Sequence, residues 1–221
     1  MVTNLASRDA APRGLRAAVA RALLDVNAFV FSPESPYTWA SGIRSPIYCD
    51  SRLIVGSPSA RRTIIGGFTE LFRTLDPPPE TIVGTATAGI PHAALLADRL
   101  GLPMGYIRSS AKPHGRGRML EGLRPAGQSA LVVEDLVSTG GSSIAAVEAL
   151  RAEGLQVNTV AAIFSYGLPE SENLFADHNC RLLRLTTLDE LLEEAVSRGL
   201  LTEATVRLLL DWRSNPRASI A

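Results

Sequence analysis

The sequence predicts an α/β fold: a doubly wound, mainly parallel sheet with helices on both faces and a small N-terminal hood lobe. Three observations lead there. Between Thr81 and Phe164, short apolar runs alternate with segments of helical spacing. Two of those helical segments stop at a glycine, Gly101 and Gly154, as helix C-termini commonly do. The alternation is absent upstream, where residues 1–60 read as one helix followed by extended segments. Apolar strands separated by helices are the pattern of a sheet buried on both faces.

The elements follow in order. Leu15 to Leu24 has helical spacing, and Ala28 to Ser32 (AFVFS) and Tyr37 to Asp50 (YTWASGIRSPIYCD) read as extended. Arg61 to Leu75 is helical, and Pro77-Pro78-Pro79 is a stiff connection to the strand Thr81–Thr85 (TIVGT). The helix Ile90–Leu100 leads to a strand at Met104–Arg108; after a long insertion comes the strand Ser129–Glu134 (SALVVE). Ser142 to Glu153 is a helix and Thr159 to Phe164 (TVAAIF) a further strand. In the tail, Thr187 with Glu190 three residues on forms a capping box before LLEEAV. Gly199 interrupts that helical pattern, and Glu203 to Trp212 resumes it up to Pro216. The expected organisation is one domain over residues 1–221, with residues 1–60 supplying much of the hood and 187–216 a helical tail.

Composition narrows the function classes. Twenty-two basic residues balance 22 acidic ones, so no whole-chain field draws nucleic acid or an anionic membrane, and any anion recognition must be local. No apolar run is long enough to span a bilayer, and MVTNLASRDAAPRG lacks a signal-peptide core, which points to the cytoplasm. Cys49 and Cys180 are too few and too far apart for a metal cluster and read as reduced, packed thiols.

Two stretches carry chemistry. Val132 to Ser143 (VVEDLVSTGGSS) runs from an apolar strand into two carboxylates, then a small-residue loop, then a helix. Ligands of doubly wound sheets sit at the carboxyl ends of the strands. Glu134 and Asp135 there suit a vicinal diol or a divalent cation. The loop ends at a helix N-terminus, where backbone N–H groups and the hydroxyls of Ser138, Thr139 and Ser142 suit a phosphate. Gly140 and Gly141 let the backbone approach it closely. A ribose 5-phosphate satisfies both ends of the stretch. No Gly-Lys-Ser/Thr and no GxGxxG is present, so this is neither a Walker loop nor a dinucleotide fingerprint. The second stretch, Ser109 to Gly127 (SSAKPHGRGRMLEGLRPAG), has four glycines and little apolar periodicity. On composition it reads either as a solvated basic loop or as a functional lid.

VVEDLVSTGGSS resembles the phosphoribosyl-pyrophosphate (PRPP) motif of the type I phosphoribosyltransferases. Arg108 to Gly115 (RSSAKPHG) resembles the mobile catalytic loop of the orotate phosphoribosyltransferase family. Tyr37 to Arg52 (YTWASGIRSPIYCDSR) is similar to that family's orotate-side segment, and Gly84 to Ala93 (GTATAGIPHA) to its pyrophosphate-side loop and helix. The tail resembles the family's short form, so the likeness spans most of the chain.

The resemblance implies a reaction: orotate and PRPP give orotidine 5′-monophosphate and pyrophosphate in pyrimidine (UMP) biosynthesis, with Mg²⁺ bound mainly through PRPP. It implies that Arg108, Lys112 and His114 bind PRPP and stabilise the departing pyrophosphate. It places the rest of PRPP on Glu134, Asp135, Leu136, Val137, Ser138, Thr139, Gly140, Gly141 and Ser142. Orotate would meet Ser138 and the backbone around Ser41 to Ser45, with Arg44 a candidate for its carboxylate. The family also implies a homodimer whose 109–127 loop acts in the neighbouring subunit. Ser109 stands where many members carry lysine, and Ala40 and Ala88 where some do, which shifts the expected cationic work to Mg²⁺ and to Arg116 or Arg118. A purine or uracil transferase would lack the Lys-Pro-His-Gly loop. A PRPP-sensing DNA regulator would show a basic stripe or helix-turn-helix, and neither is present.

Overall fold

The computed structural model describes residues 11–39, 41–109 and 119–218. The chain opens with α1 (Arg13–Asp25), followed by four short strands, β1 (Phe29–Phe31), β2 (Tyr37–Thr38), β3 (Arg44–Ser45) and β4 (Ile47–Cys49). α2 (Leu53–Gly56) and α3 (Pro58–Arg73) lead into β5 (Thr81–Thr85), α4 (Gly89–Leu100), β6 (Met104–Ile107) and β7 (Leu120–Glu121). Then come β8 (Ser129–Val137), α5 (Gly141–Ala152), β9 (Gln156–Ser165), α6 (Pro169–Asp177) and β10 (Arg181–Thr187). The tail is α7 (Leu188–Ser197) and α8 (Glu203–Ser214).

One six-stranded sheet runs β10-β9-β8-β5-β6-β7, parallel except for β7. Successive residues of β8 point to opposite faces. Leu131 and Val133 pack with α1, α3, α4 and α7, while Ala130 and Val132 pack with α5 and Phe175 of α6. That is the doubly wound arrangement expected. The residues before α2 add two small antiparallel pairs, β1 with β4 and β2 with β3, at the hood. The tail ties down the hood hairpin, because Trp212 of α8 donates from Nε1 to the carbonyl of Arg44 at 2.9 Å.

Several expected boundaries move. α3 starts at Pro58 instead of Arg61, because Ser57 caps it by accepting from the Ala60 N–H at 3.3 Å and proline suits the first helical turn. β8 continues to Val137, past the acids, since Leu136 and Val137 still pair with Phe164 and Ser165 of β9. β10 and α6 are absent from the sequence reading. Arg181 and Arg184 break the apolar run of β10, but this is an edge strand, and the Arg184 guanidinium reaches Glu172 of α6 through two hydrogen bonds of 2.7 and 3.0 Å. The 109–127 segment is also not structureless throughout. β7 returns antiparallel along β6, with the Arg108 N–H donating to the Met119 carbonyl at 3.0 Å. The capping box at Thr187 forms as expected, its N–H donating to Glu190 Oε2 at 3.0 Å.

Candidate active site

The carboxyl ends of β5, β6 and β8 open into a cavity of about 550 Å³. Four segments wall it: Tyr48–Arg52 from the hood, the Thr85–Ala88 turn, Ile107–Ser109 with Met119, and Glu134–Leu136 with the start of α5. A second cavity of about 250 Å³ adjoins it through Tyr48, Cys49 and Leu136, and is otherwise lined by Thr38, Trp39, Ser138 and Tyr166.

The two acids are not equivalent. Their opposite directions along β8 send Glu134 under α5 and Asp135 towards the hood. Glu134 is buried, accepting from Thr85 Oγ1 at 2.6 Å, from the Asp135 N–H at 3.2 Å and from Ser143 Oγ at 3.1 Å. Burial, reinforced by the neighbouring Asp135 charge, pushes its carboxyl up to about 8. Asp135 is half-buried, and Ser51 Oγ donates to its Oδ2. Sequence reasoning missed Ser51, Thr85 and Ser143. The first two lie inside motif segments already recognised, and Ser143 closes the PRPP-motif stretch, so position in a motif was the available signal.

Close packing builds the turn that faces these acids. A Cβ on Gly89 would lie 2.4 Å from the Val133 carbonyl oxygen and 2.5 Å from Thr85 Oγ1, so only glycine lets α4 sit against β8. Past the acids, Gly140 takes φ +86° as the N-cap of α5, a left-handed conformation suited to glycine. No side chain caps α5 and no acid occupies its first turn, which leaves its leading N–H groups available to an anion.

The remaining expected residues distribute as follows. Leu136 lines both cavities, Ser142 the larger and Ser138 the smaller; Thr139, Gly140 and Gly141, which lead into α5, line neither. Val137 is buried in the sheet core. Arg108 lines the larger cavity, its guanidinium 3.9 Å from Glu121. Arg44 is exposed on β3 and lines neither cavity. Ala88 lies on the larger cavity's wall. Lys112, His114, Arg116, Arg118 and Ala40 lie outside the described residues. Among the described residues, no three His, Cys, Asp or Glu side chains converge to hold a metal ion.

Residues 57–182 match the phosphoribosyl transferase domain family. The orotate phosphoribosyltransferase of Listeria innocua is 47% identical over 198 residues, covering 90% of this chain and 95% of its own. The chain belongs to the orotate phosphoribosyltransferase family. Solved structures agree with that placement. Orotate phosphoribosyltransferase from Aeropyrum pernix superposes with a TM-score of 0.68 at 30% identity, over 83% of this chain and 99% of its own. UMP synthase of Leishmania donovani superposes at 0.77 with 25% identity, over 90% of this chain and 43% of its own.

The smaller cavity has an aromatic wall. Trp39 and Tyr166 lie with ring centroids 4.7 Å apart, and Trp39 meets Trp212 edge-on at 5.6 Å. These aromatics were not singled out from sequence. Tyr166 follows β9 directly, at the strand end where ligands of this fold gather.

Buried titratable groups give the site a pH signature. His92 on α4 is fully buried, and neither ring nitrogen has a partner among the described residues. Burial lowers its pKa from 6.5 to about 4, so unfolding takes up a proton there and stability rises with pH from about 4 to 6.5. Glu134 acts in the opposite sense. Its folded pKa of about 8 lies above the ordinary 4.5, so unfolding releases a proton and stability falls as pH rises between those values. From pH 6.5 to 8 only the glutamate contributes a slope from this pair. The melting temperature of Glu134→Gln should therefore gain on the wild type progressively across that interval. A difference that stays constant with pH would refute a protonated Glu134.

Proposed function

We propose that this chain transfers the 5-phosphoribosyl group of PRPP to orotate, yielding orotidine 5′-monophosphate and pyrophosphate in UMP biosynthesis. One observation carries the reading: the uncapped N-terminus of α5 and the Asp135 carboxylate border the same cavity at the strand ends. The 5′-phosphate would take the α5 N–H groups with the hydroxyls of Ser138, Thr139 and Ser142. The ribose diol would donate to Asp135, with Glu134 beneath it, and C1′ would lie at the seam where the two cavities share Tyr48, Cys49 and Leu136. Orotate would then fill the smaller cavity between Trp39, Tyr48 and Tyr166, with Ser138 as a polar contact. Arg44 lines neither cavity, so Ser138 and these aromatic walls support this placement of orotate more than Arg44 does.

The C1′–diphosphate bond breaks with oxocarbenium character as the orotate nitrogen attacks from the opposite side. Negative charge grows on the departing oxygen, so cations fixed near it lower the barrier more than they tighten ground-state binding. Arg108, Lys112 and His114 are assigned that role. Mg²⁺, when bound, neutralises diphosphate charge. The working form is a cytoplasmic homodimer of single-domain subunits, each 109–127 loop serving its neighbour. Among the described residues, no helix is long and apolar enough to cross a membrane.

The test is the fall in orotate absorbance when PRPP and Mg²⁺ are added. Consumption of orotate, with adenine, hypoxanthine and uracil untouched, is expected. Turnover of one of those bases in place of orotate would overturn the substrate assignment.

A further inference from the structure

Among the described residues that line the larger cavity, the cations are Arg52 and Arg108. The Thr85-Ala86-Thr87-Ala88 turn on its wall offers hydroxyls and backbone groups but no positive charge. Arg108 already leans towards Glu121. Arg52 is differently placed. It follows Ser51, whose hydroxyl donates to Asp135, so the hood is fastened to the acid assigned to the diol one residue before the arginine. In PRPP the diol and the diphosphate sit on adjacent ribose carbons. A group that binds the diphosphate must therefore lie close to Asp135, and the Ser51 contact holds Arg52 in that neighbourhood.

The guanidinium is oriented but not used up. Its Nε donates to Asp50 Oδ1 at 2.5 Å and its Nη2 to the Tyr48 hydroxyl at 3.2 Å. Nη1 has no partner among the described residues, and the side chain is 64% exposed. An exposed pair such as Arg52–Asp50 contributes little stability, so the arginine can share or exchange its acid for a diphosphate at small cost. A planar fork held at two corners also loses less freedom on binding phosphate oxygens than a lysine would.

We propose that Arg52 is a diphosphate-binding cation of this site, contributed by the hood and engaging the leaving group of PRPP. The proposal rests on the phosphoribosyl-transfer reading above. As the bond to C1′ breaks, the electron pair goes to the diphosphate oxygen, and Nη1 of Arg52 donates to the group that gains the charge.

The experiment is calorimetric titration of Arg52→Ala and Arg52→Lys with magnesium pyrophosphate and, separately, with ribose 5-phosphate, alongside thermal melting. Loss of a charge-assisted hydrogen bond should weaken pyrophosphate binding by about 10- to 100-fold in the alanine variant. Ribose 5-phosphate affinity and melting should stay at the wild-type level, and the lysine variant should recover part of the loss. Unchanged pyrophosphate affinity in Arg52→Ala overturns the proposal. So does an equal weakening of both ligands with a lowered melting temperature, which marks Arg52 as a structural tether of the hood. If the wild type binds ribose 5-phosphate but no pyrophosphate, this assignment falls alone; if it binds neither, the transfer reading falls with it.

Discussion

Asp135→Asn should bind PRPP about 10- to 100-fold more weakly than the wild type, with a matching loss of turnover and an intact fold. Asp135 faces the hood and meets Ser51, whereas Glu134 is enclosed by Thr85 and Ser143. A ribose diol joining the Ser51 hydroxyl on this carboxylate would thus find its main acceptor in Asp135. Replacing that carboxylate by an amide removes a charge-assisted hydrogen bond and turns one acceptor into a donor. The fold should survive, since Asp135 is only half-buried and asparagine keeps its shape. Calorimetry with PRPP, combined with thermal melting, decides the matter. A variant that melts like the wild type and binds PRPP equally well would remove Asp135 from the ribose site.

Mixing two inactive proteins should restore about a quarter of wild-type activity. Lys112 is assigned to the loop that serves the neighbouring subunit, and Asp135 to the ribose site of its own. Lys112→Ala and Asp135→Asn homodimers should each be nearly inactive. After denaturation and co-refolding of equal amounts, about half the dimers are hybrids, and each hybrid has one site combining a normal loop with a normal ribose pocket. One good site of two in about half the dimers yields the expected quarter. If the mixture stays inactive while wild type refolded alongside recovers, the loop serves its own subunit.

Much of the central sheet was legible because its strands are apolar runs bounded by glycine-stopped helices. Where polar residues entered a strand, that signal failed. Arg181 and Arg184 concealed β10, whose guanidinium partner on α6 belongs to another element. The acid pair made β8 seem to stop at Glu134, although its ladder with β9 continues to Val137. Sequence patterning reports which side chains avoid water, whereas a strand ends where its backbone partners end.

The PRPP motif was legible because its chemistry is local: strand, acids, loop and helix N-terminus lie within Val132–Ser143. Sequence alone therefore determined the fold class and the transferase family, and it marked the stretch on which the phosphate and diol sites are proposed. Only the tertiary structure decided how the neighbours act on that motif. Thr85, 49 positions away, helps bury Glu134, and Ser51, 84 positions away, occupies Asp135. Trp212, 168 positions from Arg44, fastens the tail to the hood and packs edge-on against Trp39 of the smaller cavity's wall. Burial is a property of everything packed around a group, so two adjacent carboxylates of similar chemistry came to differ in environment. Nothing in the spelling Glu-Asp distinguishes them; the opposite faces of one strand do.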